Sequence, residues 1–221
     1  MQSDRIENQK SMKRLKYILI ALILIIAAYN SVYFEPLDET KSQANPDTFD
    51  PVLYAADFWN NRLMNSLSDA VDAATLLDLF ETDMQQAVST YGNTLGIASI
   101  HAYLIKGQGR ILSKNDDGVV LSVRAPDRNP DILLQTDYIY GNAIRDASGL
   151  IGVSQFSNTM DFNNISVEIN KIVKEEVVPA IREMAHVGRR VHFVGASEVS
   201  EDSPDLYPLS VIPIRVEIDE Q

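Results

Sequence analysis

Just after Gly96 the apolar residues of this chain change period, from the three-to-four spacing of a helix to the alternation of a strand. That change divides the sequence. Upstream, Asp50 followed by Pro51 marks a helix start, because the carboxylate accepts orphan amides and Pro at the first helical position loses no hydrogen bond. Val52, Ala56, Trp59, Leu63, Leu67 and Val71 then fall on one helical face. Residues 72–80 and Met84–Tyr91 read as further short helices, the second stopped at Gly92 as a left-handed cap.

Downstream, residues 97–106 alternate loosely, Gly107 and Gly109 interrupt them as a bulge, and residues 110–113 resume before the turn Asn115-Asp116-Asp117-Gly118. Asp-Gly between extended runs is a hairpin signal, so residues 119–124 form the return strand. Residues 132–134 with 138–140 give a third extended region. A helix follows, with Ile165, Ile169, Ile172, Val173, Val177, Ala180, Ile181 and Met184 as its stripe, Asn164 as cap, Gly188 as stop and a kink at Pro179. Residues 191–195 and Leu209–Ile218 are the last strands, the second placed at an edge or bulge by Pro213. Three strands, a long helix and two strands is the order of a five-stranded OB-like β-barrel within an α+β fold. A plain α+β sandwich with the same elements fits the periodicity equally.

Residues 17–34 carry no charge and form a stretch that just spans a hydrocarbon core of ~30 Å, with Tyr17, Tyr29 and Tyr33 placed to sit at the interfaces. Arg5, Lys10, Lys13, Arg14 and Lys16 precede it against Asp4 and Glu7. Residues 1–34 are thus net +3, and the remainder of a chain with total charge −12 carries −15. Cations before the span hold the amino end in the cytoplasm and send everything after Phe34 across the inner membrane. A cleaved secretory signal is the alternative, but small-x-small sites are poor: cleavage after Ala28 places Ile26 three positions back. The organisation expected is a cytoplasmic flank and signal-anchor helix at 1–34, a Pro-containing tether at 35–49, a helical segment at 50–92 and the barrel with its inserted helix at 93–221, exported to the periplasm or the cell exterior.

Composition narrows the chemistry. With no Cys, disulfides, thiolate metal sites and a lipid-bearing thiol are excluded. The acidic balance argues against nucleic acid, since phosphates need clustered Lys and Arg, and the pair Arg189-Arg190 is better placed to cap a helix or open a strand. His101, His186 and His192 lack a short ligand spacing, so neither a metal nor another cofactor is expected. Core packing leaves residues 138–162 unexplained. They combine Tyr138, Tyr140, Phe156 and Phe162 with Asn142, Arg145, Asp146, Gln155, Asn158 and Asp161, the mix of aromatic faces and polar forks that suits sugars and other polar small molecules. An Arg145–Asp146 ion pair bracing the loop is the structural alternative.

Residues 50–63 (DPVLYAADFWNNRL), 91–111, 141–162 and 187–196 (VGRRVHFVGA) resemble the predicted periplasmic lipoproteins of domain-of-unknown-function family 2291. Gly141-Asn142-Ala143-Ile144-Arg145-Asp146 is similar to the family's Gly-x-Ala-x-Arg-Asp, with Phe156 and Asn158 following in place. The sequence departs from the family in lacking the lipid-accepting Cys. The resemblance implies no known activity, and it implies a genomic setting beside sugar importers of the ATP-binding-cassette type. The expectation is therefore an extracytoplasmic accessory or binding module whose partners are the inner membrane through residues 17–34 and either transporter components or a small polar ligand. Its ligand-binding patch would be Tyr140, Gly141, Asn142, Arg145, Asp146, Phe156 and Asn158, with no catalytic residue. A hydrolase with paired carboxylates and a structural envelope component are the alternatives.

Overall fold

Asp50 starts the first helix as its sequence dictates, accepting from the amides of Val52 and Leu53 at 2.9 and 3.1 Å. The structure is a computed structural model that describes residues 49–95, 98–126, 129–202 and 204–219. The anchor expected at 17–34 and the tether through residue 48 lie outside these residues. Among the described residues, no helix is long and apolar enough to cross a membrane. Residues Phe49–Gln221 form one compact unit that contains both the helical segment and the strands.

Helix α1 (Pro51–Asp57) runs on through a wide π-helical stretch, Phe58–Leu63, and a last turn, Met64–Ser66. The wider coil shifts the buried face. Ala55, Phe58, Trp59, Leu63 and Leu67 are buried, whereas Val52 of the expected stripe is exposed. Val71 leaves the helix altogether and opens β1 (Val71–Asp72), which pairs in parallel with β2. Helices α2 (Ala73–Thr82) and α3 (Met84–Tyr91) are capped by Asp72 and Asp83. Gly92 ends α3 without a left-handed turn, at φ −76°. Glycine is needed there because a Cβ would stand 2.7 Å from the Val88 carbonyl oxygen.

The strands are β2 (Ile100–Lys114), β3 (Gly118–Ser122), β4 (Ile132–Gln135), β5 (Arg190–Ser200) and β6 (Leu209–Ile218). Their pairings run β2–β3–β4–β6–β5 and return to β2, with β4–β6 parallel and the others antiparallel. The β2–β3 turn closes as its residues require, with Asn115 Oδ1 accepting from the Gly118 amide at 3.0 Å. Several local expectations are corrected. Gly107 and Gly109 do not interrupt β2; the register slips instead between Ile111 and Ser113. Residues 138–140 are not a strand, because β4 ends at Gln135 and the chain turns sharply at Tyr138. On β6 the register slips at Pro213, where the missing amide makes regular pairing impossible.

Between β4 and β5 lie α4 (Ala143–Ala147), α5 (Thr159–Ile172), a π-helical stretch Val173–Val177, and α6 (Val178–Met184). The cap of α5 is Asn158, not Asn164: its side chain accepts from the Asp161 amide at 2.8 Å. Pro179 sits in the first turn of α6, and the wide stretch before it absorbs the lost hydrogen bond. That stretch also moves the stripe. After Val173 the buried residues are Val178, Ile181 and Ala185, while Ala180 and Met184 turn to solvent.

Two apolar layers result. Tyr103, Ile105, Leu121, Leu134, Val191 and Val211 pack inside the strands with Leu76, Leu77 and Phe80 of α2. On the other face of β2, β5 and β6, Ala102, Leu104, Ala196 and Ile212 are covered by Phe58, Trp59, Ile144, Ile165 and Ile169. Helices α1, α4 and α5 thus cover the middle of that outer face and leave both ends of β5 open.

Candidate functional site

The side chains of residues 138–162 go to different places, according to whether the local helix or the core claims them. Arg145, on α4, is 2% exposed, donating from Nε to Asp146 Oδ1 at 2.7 Å and from Nη1 to the Phe162 carbonyl at 3.0 Å. Phe156 sits in an aromatic cluster with Phe49, Tyr54 and Phe162, at ring separations of 5.4, 5.4 and 5.6 Å. Asn158 caps α5. Asn142 precedes α4, and its carbonyl accepts from the Asp146 amide. Gly141 has φ +85°, and its carbonyl accepts from Asn170 Nδ2 at 2.9 Å.

Tyr140 is different: it is 72% exposed, and with Tyr138, 68% exposed, it walls one side of a cleft of about 160 Å³. Tyr138 is a non-glycine residue at φ +48°, a backbone conformation that costs energy and is kept where the surroundings enforce it. Gln135 of β4, Ser210 and Ile212 of β6, and Ala196, Ser197 and Glu198 of β5 complete the cleft with Ala143. The Ser197 hydroxyl is buried without a hydrogen-bond partner. Glu198 reaches solvent, yet crowding by its neighbours raises its pKa above the ordinary carboxylate value. Desolvation is the main cause and the nearby Asp146 charge adds to it, while Arg145 opposes both. A carbon on Gly141 would come within 3.9 Å of Glu198 Oε2.

The sequence pointed to Tyr140 and Gly141 but not to Glu198, Gln135, Ser197 or Ser210. Those four come from three strands distant in the chain, and only the pairing of β4, β6 and β5 brings them together. Strand β5 runs on to Ser200, beyond the Gly195 end expected from the sequence; Ala196-Ser197-Glu198-Val199-Ser200 carries no apolar alternation that could have extended it. Among the described residues, no three His, Asp or Glu side chains are grouped to hold a metal ion.

The family described as predicted periplasmic lipoprotein (DUF2291) matches residues 22–217. The chain belongs to this family. DUF2291 has no assigned activity, and its periplasmic description agrees with the export read from the charges around residues 17–34. This member departs from the lipoprotein description in having no Cys to carry a lipid. A crystal structure of an OB-fold protein from Thermotoga maritima at 1.90 Å is similar over 78% of this chain and all of its own, with 30% sequence identity and a TM-score of 0.72. The shared fold accounts for the order of three strands, helices and two strands found in this DUF2291 chain. No curated protein matches the sequence.

Proposed function

We propose that this protein is a non-enzymatic binding module, held on the outer side of the inner membrane by residues 17–34, that takes a sugar in the cleft between Tyr138, Tyr140 and Glu198. In this reading the closed ring of strands serves as an OB-type barrel, a rigid base for the cleft. The supporting observation is Tyr138: a strained backbone and two exposed tyrosines stand beside a carboxylate, an amide and hydroxyls. Aromatic faces accept the C–H face of a pyranose, and Glu198, Gln135 and Ser210 offer groups for its hydroxyls. The cleft has room for one ring. A transporter component as partner is the further part of this proposal.

A hydrolytic role has less support. Among the described residues Glu198 is the one carboxylate lining the cleft, and Asp146 behind it is held by Arg145. Calorimetry of the full chain in detergent against a panel of monosaccharides tests the proposal. Saturable binding that Tyr140→Ala weakens at least tenfold is the expected result; no binding by any sugar would reject it.

A further inference from the structure

A cavity of about 410 Å³ lies at the other open end of β5, on the outer face of β2, β5 and β6. Register builds it in two rows. Lys106, Val194 and Arg215 are cross-strand neighbours in the first, and Gln108, His192 and Glu217 in the second. Lys106 and Arg215 therefore flank Val194, two inter-strand spacings or about 10 Å apart at the backbone. Phe193 and Gly107 contribute to the wall, and Asp72 closes the β1 side.

The two cations are held in place but not neutralised. Lys106 Nζ donates to the Ser68 carbonyl at 2.8 Å, and Arg215 Nη2 lies 3.5 Å from Met64 Sδ. Both lean on the end of the first helical arm, and neither has a carboxylate within ion-pair distance among the described residues. Asp72, the acid beside Lys106, is already engaged with the Thr75 amide and hydroxyl at 3.0 and 3.2 Å. His192 lies 3.6 Å from Asp219. In a chain of net charge −12, two cations left without carboxylate partners in one cavity form a local positive site.

We propose that this groove is a second ligand site, for a small molecule carrying a carboxylate or phosphate. Its anion sits over Val194 between Lys106 and Arg215, and its hydroxyl or amino groups meet Gln108, His192 and Glu217. The guanidinium is the stronger determinant, since its fork can bind an oxyanion through two donors. About six residues of extended strand, roughly 20 Å, separate His192 from Glu198 of the tyrosine-walled cleft, so the two sites are independent.

The test is calorimetry on the full chain in detergent at low ionic strength, with citrate and inorganic phosphate as probes and glucose as the neutral control. At least one anion binds saturably, with one site; Arg215→Gln weakens it at least tenfold, and Lys106→Gln with Arg215→Gln abolishes it. A response to citrate alone identifies an organic acid as the natural class, and a response to phosphate alone a phosphorylated one. Tyr140→Ala leaves anion binding intact, which separates this site from the sugar cleft. Both cations are exposed, so the variants keep the parent melting temperature, and Arg215→Lys restores part of the affinity. Absence of saturable binding by either anion, or undiminished binding by the double variant, overturns the proposal.

Discussion

The guanidinium carbon of Arg145 stands 3.6 Å from the centre of the Phe162 ring, and the same side chain donates to the Phe162 carbonyl at 3.0 Å. Arg145 thus ties α4 to the first turn of α5 at two points. Its charge is matched by Asp146, so burial is tolerated. The Arg-Asp pair that sequence similarity singles out works as a brace behind the cleft.

Replacing that brace has a direction opposite to that expected of a ligand contact. Arg145→Ala leaves a cavity and strips Asp146 of its partner, which lowers unfolding free energy by about 3–5 kcal/mol. Urea denaturation measures the loss. Sugar affinity of the molecules that remain folded stays close to that of the parent.

Glu198 gives a pH signature. Its folded-state pKa is raised above 4.5, so the folded protein holds the proton more tightly than the unfolded chain. Stability attributable to this group is therefore complete below 4.5 and declines as pH rises through that value toward the higher folded-state one. Glu198→Gln removes the decline: the variant is more stable than the parent at neutral pH and indistinguishable from it below about pH 4. Denaturation curves across that range decide the point, and sugar binding is reduced in the same variant.

Asp131 is fully buried and gathers the loop after β3. It accepts from the Ser122 hydroxyl, from the amides of Val123 and Arg124, and from Nε and Nη2 of Arg124, at 2.9–3.2 Å. Asp131→Ala leaves the amides of Val123 and Arg124 without their acceptor, while the Ser122 hydroxyl keeps the Arg124 carbonyl, and costs about 3 kcal/mol. A melting curve several degrees below the parent is the expected outcome; Arg124 keeps Glu81 and Asp78 as partners, so the loss stops short of unfolding.

Asn158→Ala removes the cap of α5 and lowers stability by about 1 kcal/mol, whereas Asn158→Asp retains it. If Asn158 bound ligand instead, both substitutions would reduce affinity. Paired melting and calorimetric measurements distinguish the two.

Features whose cause lies within a few residues were legible in the sequence. The Asp50-Pro51 start, the Asn115–Gly118 turn and the slip at Pro213 each follow from the hydrogen-bonding capacity of one or two side chains or of a proline nitrogen. Alternation in β2 was only loose because both faces of the strand meet an apolar layer, Tyr103 and Ile105 on one side and Ala102 and Leu104 on the other. Periodicity failed where the helix itself changed pitch. The π-helical stretches at Phe58–Leu63 and Val173–Val177 move the buried stripe, and a fixed 3.6-residue template cannot follow that.

By itself, the sequence determined the succession of three strands, helices and two strands after Gly96 and the absence of thiol chemistry, because these depend on local geometry and composition. Tertiary structure alone decided that Arg145 faces Phe162 while Tyr140 faces solvent, and that Glu198 joins Gln135 and Ser210 across three strands. The physical reason is that strand pairing between distant segments, including the parallel contact of β4 with β6, fixes which side chains share a face. No spacing along the chain encodes that register.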